Sequence, residues 1–168
     1  MSDLRLVPLS LAVFEALAAE DRAAAAELLG LPIPVEFAEA VDIWRFMIRV
    51  VAEDPDNADW AMQAVVVGAD TIVGNAGFKG APASGQAELG YRIVASHRRR
   101  RFAVGAIQAL LEHARAEPRL DRVIARISPD NDASVGVVTA AGFVPDGEWM
   151  NPRWGRQLQF VTDVATPE

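Results

Sequence analysis

From Trp60 onward the spacing of apolar residues changes, and that change limits the folds open to the chain. Upstream, Phe37, Val41, Trp44, Ile48 and Val51 recur every three or four positions. That is the period of one helix face, and it predicts an amphipathic helix over residues 37–53, stopped by Asp54-Pro55-Asp56-Asn57. Downstream, residues 60–67, 72–79 and 87–94 are short β-prone runs separated by glycine-bearing turns, which reads as a three-stranded antiparallel meander. A helical stripe follows (Phe102, Ala103, Ala106, Ile107, Leu110, Ala114), and after it a strand at 123–127. A single crossover helix joins parallel strands, so the sheet must be antiparallel on one side and parallel on the other.

The flanks fit around that core. Residues 4–8 read as a strand, Ser10 as the N-cap of a helix to about residue 19, and residues 21–29 as a second helix ended by Gly30. Pro32 and Pro34 bias their neighbours toward extended backbone, so residues 31–34 read as a loop. A helix over 132–141 and two strands around 142–149 and 157–164 complete the order. The expected fold class is α/β in the broad sense, a mixed α+β sheet with helices on both faces. At 168 residues one domain over 1–168 is the expectation.

Composition excludes several function classes. There is no cysteine, hence no disulfide, thiolate metal site or cysteine nucleophile, and a reducing, cytoplasmic setting is expected. A formal charge of −7 with scattered basic residues argues against a nucleic-acid partner. Residues 6–19 are apolar-rich and Ala16-Leu17-Ala18 has a cleavage-site form, but Asp3, Pro8 and Glu15 break the signal pattern. No run approaches the roughly 18 apolar residues of a membrane span, so neither a removed leader nor a membrane partner is expected.

The exception to the acidic balance is Arg98, Arg99, Arg100 and Arg101, set between a strand and a helix. The first N–H groups of a helix lack internal partners, and the macrodipole adds about half a positive charge there. Such a junction binds anions. Cations at a helix N-terminus are unfavourable by about 0.3–1 kcal/mol each, so four of them need a compensating anion. A phosphorylated small ligand is the expected one, with a solvated charge run as the bland alternative.

GQAELGYRIVASHRRRRFAVGAIQALLEHA followed by ARISPDNDASVGVVTAAGF resembles the core of the GCN5-related N-acetyltransferases (GNAT), and within them the RimJ/RimL-type group that acetylates ribosomal-protein N-termini. The likeness covers about residues 61–160. It implies the GNAT fold, acetyl-CoA as cosubstrate with no metal, and an amine acceptor. The family's fourth and fifth strands splay, and the pantetheine arm pairs with the fourth, which assigns the stretch 89–94 (Tyr91, Ile93, Val94) to the cofactor-facing edge. The family's Arg/Gln-x-x-Gly-x-Gly/Ala loop maps to Arg98 at its head and Ala103 at its end. Arg99 and Arg101 stand where relatives carry glycine. With negative φ at both, their side chains would turn outward while the backbone of Phe102, Ala103, Val104 and Gly105 faces the pyrophosphate.

The resemblance further implies that Asn131 holds pantetheine and that the Ser134 hydroxyl protonates the leaving thiolate. A helix cap at Asn131 explains the same residues equally well. Many relatives carry a tyrosine acid at the position of Val138. Glu88 is the candidate base for the acceptor amine, or the partner of Arg92 on the same strand face. Glu148 and Asp146 are weaker alternatives for the base. Backbone N–H groups near residues 91–94 are the expected oxyanion donors.

His97 and His113 lack partners at ligand spacing, and Gly74, Gly77 and Gly80 have no following helix, so neither a metal nor a dinucleotide site is expected. Trp44, Trp60, Trp149 and Trp154 read as core or cleft-wall aromatics, with Trp44 and the loop at 31–37 as candidate acceptor-pocket walls. The acidic chain suits a cationic amine. Together these readings favour an acetyl-CoA-dependent N-acetyltransferase acting on a primary amine, at a protein N-terminus or on a small molecule. The alternative is a non-catalytic acyl-CoA-binding module, and a homodimer is left open.

Overall fold

The computed structural model describes residues 3–164; residues 1, 2 and 165–168 of the expected single domain lie outside them. The chain runs β1 (Leu4–Pro8), α1 (Leu11–Ala18), α2 (Arg22–Leu29), α3 (Val35–Ala38), α4 (Val41–Glu53), β2 (Gln63–Val67), β3 (Thr71–Phe78), β4 (Gln86–Ile93), α5 (Phe102–Arg115), β5 (Arg122–Ile127), α6 (Asp132–Ala140), β6 (Val144–Asn151) and β7 (Gly155–Asp163). The strands form one seven-stranded sheet in the order β1-β2-β3-β4-β5-β7-β6. Every neighbouring pair is antiparallel except β4 and β5, which are parallel as the crossover helix α5 requires.

Local chemistry sets the element ends. Ser10 Oγ accepts from Val13 N–H at 3.3 Å, Asp21 Oδ1 from Ala24 N–H at 3.1 Å, and Gly30 closes α2 at φ 78°, in the left-handed region where glycine lacks the Cβ penalty. The single helix expected over 37–53 is two: α3 ends at Ala38, and Ala40, at ψ 47°, turns the chain into α4. Aromatic packing accounts for the corner. Trp44 is fully buried against Phe14 and Phe37, and its indole N–H is satisfied by Ala38 O at 3.3 Å, a carbonyl left free by the helix break.

Side chains of β2 and β3 feed two apolar layers, with the alternation shifted where the register slips between Val65 and Val66. Val65, Val73, Ala76 and Phe78 pack with α5 and α6, while Ala64, Val66 and Ile72 pack with α1, α2 and α4. Gly77 permits the close approach of the segment entering β2, since a Cβ there would lie 2.6 Å from Ala61 O. Gly77 therefore serves packing.

The feature that positions a site is the divergence of β4 from β5. They pair only over Gln86↔Arg122, Ala87↔Val123 and Glu88↔Ile124. Beyond Glu88, β4 stays on β3 as far as Ile93, and β5 stays on β7 as far as Ile127. A wedge-shaped gap opens between them, with α5 and α6 on one side of the sheet and α4 on the other.

Candidate active site

Glu88 O accepts from Lys79 N–H at 2.8 Å, and Val94 N–H donates to Val73 O at 2.9 Å. Even-numbered residues of this strand therefore direct their backbone groups toward β3, and by alternation those of Leu89, Tyr91 and Ile93 point into the gap. At Tyr91 and Ile93 that edge has no partner strand, and it faces a cavity of about 750 Å³. Val94 does not join it: the residue is buried with the α1–α4 layer and its N–H is taken, so the oxyanion donors expected over 91–94 reduce to Tyr91 and Ile93.

The mouth of the cavity is the start of α5. Gly105 N–H is the first to find an intrahelical acceptor, Arg101 O at 3.1 Å, and no side chain caps the helix. The N–H groups of Phe102, Ala103 and Val104 are left for an anion. Arg98, Arg99 and Arg101 line the cavity with them, whereas Arg100 is exposed and off its wall. Arg98 also tethers the loop, its Nε donating to Ile93 O at 3.0 Å.

The negative φ that would turn the Arg99 and Arg101 side chains outward is not found. They lie at φ 65° and 62°, the left-handed conformation a glycine would hold. The loop keeps the glycine backbone path with arginines in it, at a steric cost of about 1–2 kcal/mol per residue. Strain of this kind persists where surrounding structure holds it, and it concentrates at ligand clamps. On the neighbouring turn, Ser96 N–H donates to Glu36 Oε2 at 3.4 Å, and hydrogen bonds to Ser96 hold the Glu36 carboxyl below its ordinary value.

On the other side of the gap lies a second cavity of about 650 Å³. Glu88 faces it, but its partner is not Arg92. One carboxylate oxygen meets Lys79 Nζ and the other accepts from Arg126 Nη1 at 2.9 Å. Both oxygens are engaged, so proton acceptance at Glu88 requires one pair to open. Arg126 is fixed further by Gln159 Oε1 at 3.1 Å and by the Trp149 ring, 3.9 Å below its guanidinium. Trp149 and Trp154 line this cavity as expected of cleft-wall aromatics. Trp44 does not, being core, and from α4 it is Phe46 that reaches the wall. Asp146 and Glu148 sit on the exposed β6, bonded to Gln159 and Arg156, and neither lines either of these two cavities.

The two cavities share three residues: Tyr91, Asn131 and Ser134. Asn131 caps α6, its Oδ1 accepting from Ser134 N–H at 3.2 Å, so the structural reading of Asn131 holds while its side chain stands at the junction. Tyr91 O–H donates to Ser134 O at 3.2 Å across the gap, and burial pushes its phenol above the ordinary value. Val138, one turn further along α6, is fully buried in the core.

Sequence reasoning missed Arg126, Lys79, Tyr91 as a side chain, and Asn75. The last carried a signal: an amide inside the apolar run of residues 72–78. Among the described residues Asn75 is the one polar side chain so deeply buried (2% exposed), and its Oδ1 has no partner. Among those residues no group of three or more His, Asp or Glu is placed to hold a metal ion.

Comparison with known proteins places the chain. A family model described as the acetyltransferase (GNAT) domain matches residues 3–144. Uncharacterized N-acetyltransferase YjdG of Bacillus subtilis (strain 168) is 36% identical over 74 residues, 44% of each chain. Uncharacterized N-acetyltransferase p20 of Bacillus licheniformis is 29% identical over 84 residues, 49% of this chain and 47% of that protein. The chain thus spans about half the length of the curated relatives it matches. Among solved structures, RimL, a ribosomal alpha-N-protein acetyltransferase in complex with coenzyme A, superposes with TM-score 0.66 at 16% identity, covering 96% of this chain and 94% of that one. That likeness establishes the fold, and with the family match over residues 3–144 the chain belongs to the GNAT acetyltransferase family.

Proposed function

We propose that the chain is an acetyl-CoA-dependent N-acetyltransferase that passes the acetyl group directly from thioester to primary amine. The observation that carries this reading is the meeting of two cavities from opposite sides of the sheet at Tyr91, Asn131 and Ser134. A direct transfer needs donor and acceptor in contact at one gap, and the β4 edge, the bare start of α5 and three arginines suit an amide-bearing, phosphorylated donor.

In this reading the N–H groups of Phe102, Ala103 and Val104, with Arg98, Arg99 and Arg101, hold the pyrophosphate. The backbone edge of Tyr91 and Ile93 orients the pantetheine arm, and their N–H groups stabilise the oxyanion that forms as the amine nitrogen bonds to the acetyl carbon. Glu88 stands on the acceptor side to take the amine proton once one of its ion pairs opens. The Ser134 hydroxyl gives a proton to the sulfur as the carbon–sulfur bond breaks. Tyr91 fixes the carbonyl of Ser134 and so positions the first turn of α6.

RimL's coenzyme A complex supports the cosubstrate. The absence of cysteine is compatible with work in the cytoplasm, and no helix among the described residues is long and apolar enough to cross a membrane. Thermal melting with CoA and acetyl-CoA, followed by thiol release with a panel of amines, tests the reading. No shift with either ligand at millimolar concentration defeats it, and binding without thiol release for any amine favours a non-catalytic acyl-CoA-binding module.

A further inference from the structure

The acceptor-side cavity has a charge the chain as a whole does not. The protein's formal charge is −7, yet this wall presents Arg49, Lys79, Arg126 and Arg153 against only Asp42 and Glu88. Glu88 is already shared by Lys79 and Arg126. A polyamine would enter against this surplus, so the cationic acceptor suggested by overall composition does not fit the local field.

Two further observations define what does. Arg126 uses Nε on Gln159 and Nη1 on Glu88, leaving Nη2 without a partner among the described residues on a guanidinium whose Cζ lies 3.9 Å from the centroid of the Trp149 ring. Such a group is preorganised for an oxyanion. Trp154 and Phe46 sit at the cavity wall 64% and 36% exposed, with Arg153 and Arg49 over their rings at 4.5 and 5.8 Å.

On the acetyl-transfer reading above, we propose that the acceptor is an amine bonded both to an anionic group and to a flat apolar body, the chemistry of an aromatic α-amino acid. The anion takes Arg126 with Arg49 and Arg153 at the mouth, the ring lies against the exposed tryptophan, and the amine is turned toward Tyr91 and Ser134 where the cavities meet. The anion is a carboxylate or a phosphonate-like group, since a guanidinium accepts either.

The test compares phenylalanine, its aminophosphonate analogue, phenethylamine and spermidine in thiol release, and titrates 3-phenylpropionate and phenethylamine by tryptophan fluorescence with CoA present. At least one anion-bearing amine is expected to exceed phenethylamine and spermidine about tenfold or more in kcat/KM, and which of the two leads identifies the anion. Phenylpropionate is expected to bind about tenfold more tightly than phenethylamine. Arg153→Gln should shrink the phenylalanine-to-phenethylamine ratio with CoA binding unchanged. Phenethylamine or spermidine turned over as well as the anionic amines overturns the proposal while leaving acetyl transfer intact. If no amine reacts, the fluorescence comparison decides, and equal or tighter binding of phenethylamine overturns it. Failure to bind CoA at all falls instead on the acetyl-transfer reading.

Discussion

Replacing Arg101 by glycine separates what its backbone costs from what its side chain supplies. At φ 62° an L-residue carries about 1–2 kcal/mol of steric strain that glycine relieves. Glycine's greater freedom in the unfolded chain takes back about 0.5–1 kcal/mol. Removing a cation from the start of α5 returns about 0.3–1 kcal/mol. The balance is a gain of about 1 kcal/mol, which in a domain of this size raises Tm by about 2–4 °C.

Binding should move the other way. Loss of one charge-assisted hydrogen bond to a phosphate costs about 1.5–3 kcal/mol, so CoA affinity falls roughly 10- to 150-fold. Arg101→Ala keeps the strained backbone and loses the same guanidinium. It should lose comparable affinity with a smaller Tm gain, only the part from the lost charge, about 0.3–1 kcal/mol. Melting by circular dichroism and calorimetric titration with CoA read the two effects separately. Equal Tm in the glycine and alanine variants, or a lower Tm in the glycine variant, refutes the strain argument. Unchanged affinity in both refutes the phosphate contact.

Ser134→Ala should cut thiol release by about 10²-fold or more, the usual range for a lost proton donor, with CoA affinity within about twofold; equal losses in both would reassign Ser134 to binding. Glu88→Gln leaves Lys79 and Arg126 facing a neutral amide, so stability should fall by about 1–2 kcal/mol, between the exposed and buried limits, and turnover should fall more than CoA affinity. Tyr91 is the single tyrosine, and its folded value is raised. The stability its neutral phenol contributes is therefore full below the ordinary value of 10.0 and lost as pH rises through the folded value. Absorbance at 295 nm should climb only above pH 10 in the folded protein and earlier in urea. Glu36, Glu117 and Glu148 are held low by Ser96, Arg119 and Arg156. Their contribution is present above 4.5 and lost as pH falls through the lowered values, so the urea midpoint should drop below pH 4.5, and less steeply in Glu36→Gln.

Local physics made much of the fold legible. The meander, the parallel crossover and the caps at Ser10, Asp21 and Gly30 follow from period, handedness and turn chemistry within short windows. The insertion of β7 between β5 and β6 does not, because strand order is decided by partners 30 or more residues apart. The break between α3 and α4 carries no glycine or proline, and it follows from where the Trp44 indole finds an acceptor.

The site divides the same way. The anion-binding start of α5 was visible because a strand, a cationic loop and a helix are contiguous. Glu88's partners come from the residue after β3 and from β5, so the strand-face argument pointed to Arg92. The positive φ of Arg99 and Arg101 runs against residue preference, and only the surrounding loop imposes it. Asn75 stood in the sequence as an amide in an apolar strand, but its missing partner is a property of packing.

The central claim is that one molecule of CoA lies along the free edge of β4 with its phosphates on the first turn of α5. Hydrogen–deuterium exchange with and without CoA tests it directly, since it reports on the amides themselves. Added CoA should slow exchange in peptides covering residues 89–93 and 99–105, while those covering α1 and α2 stay unchanged. CoA binding that leaves both segments exchanging as before would contradict the account.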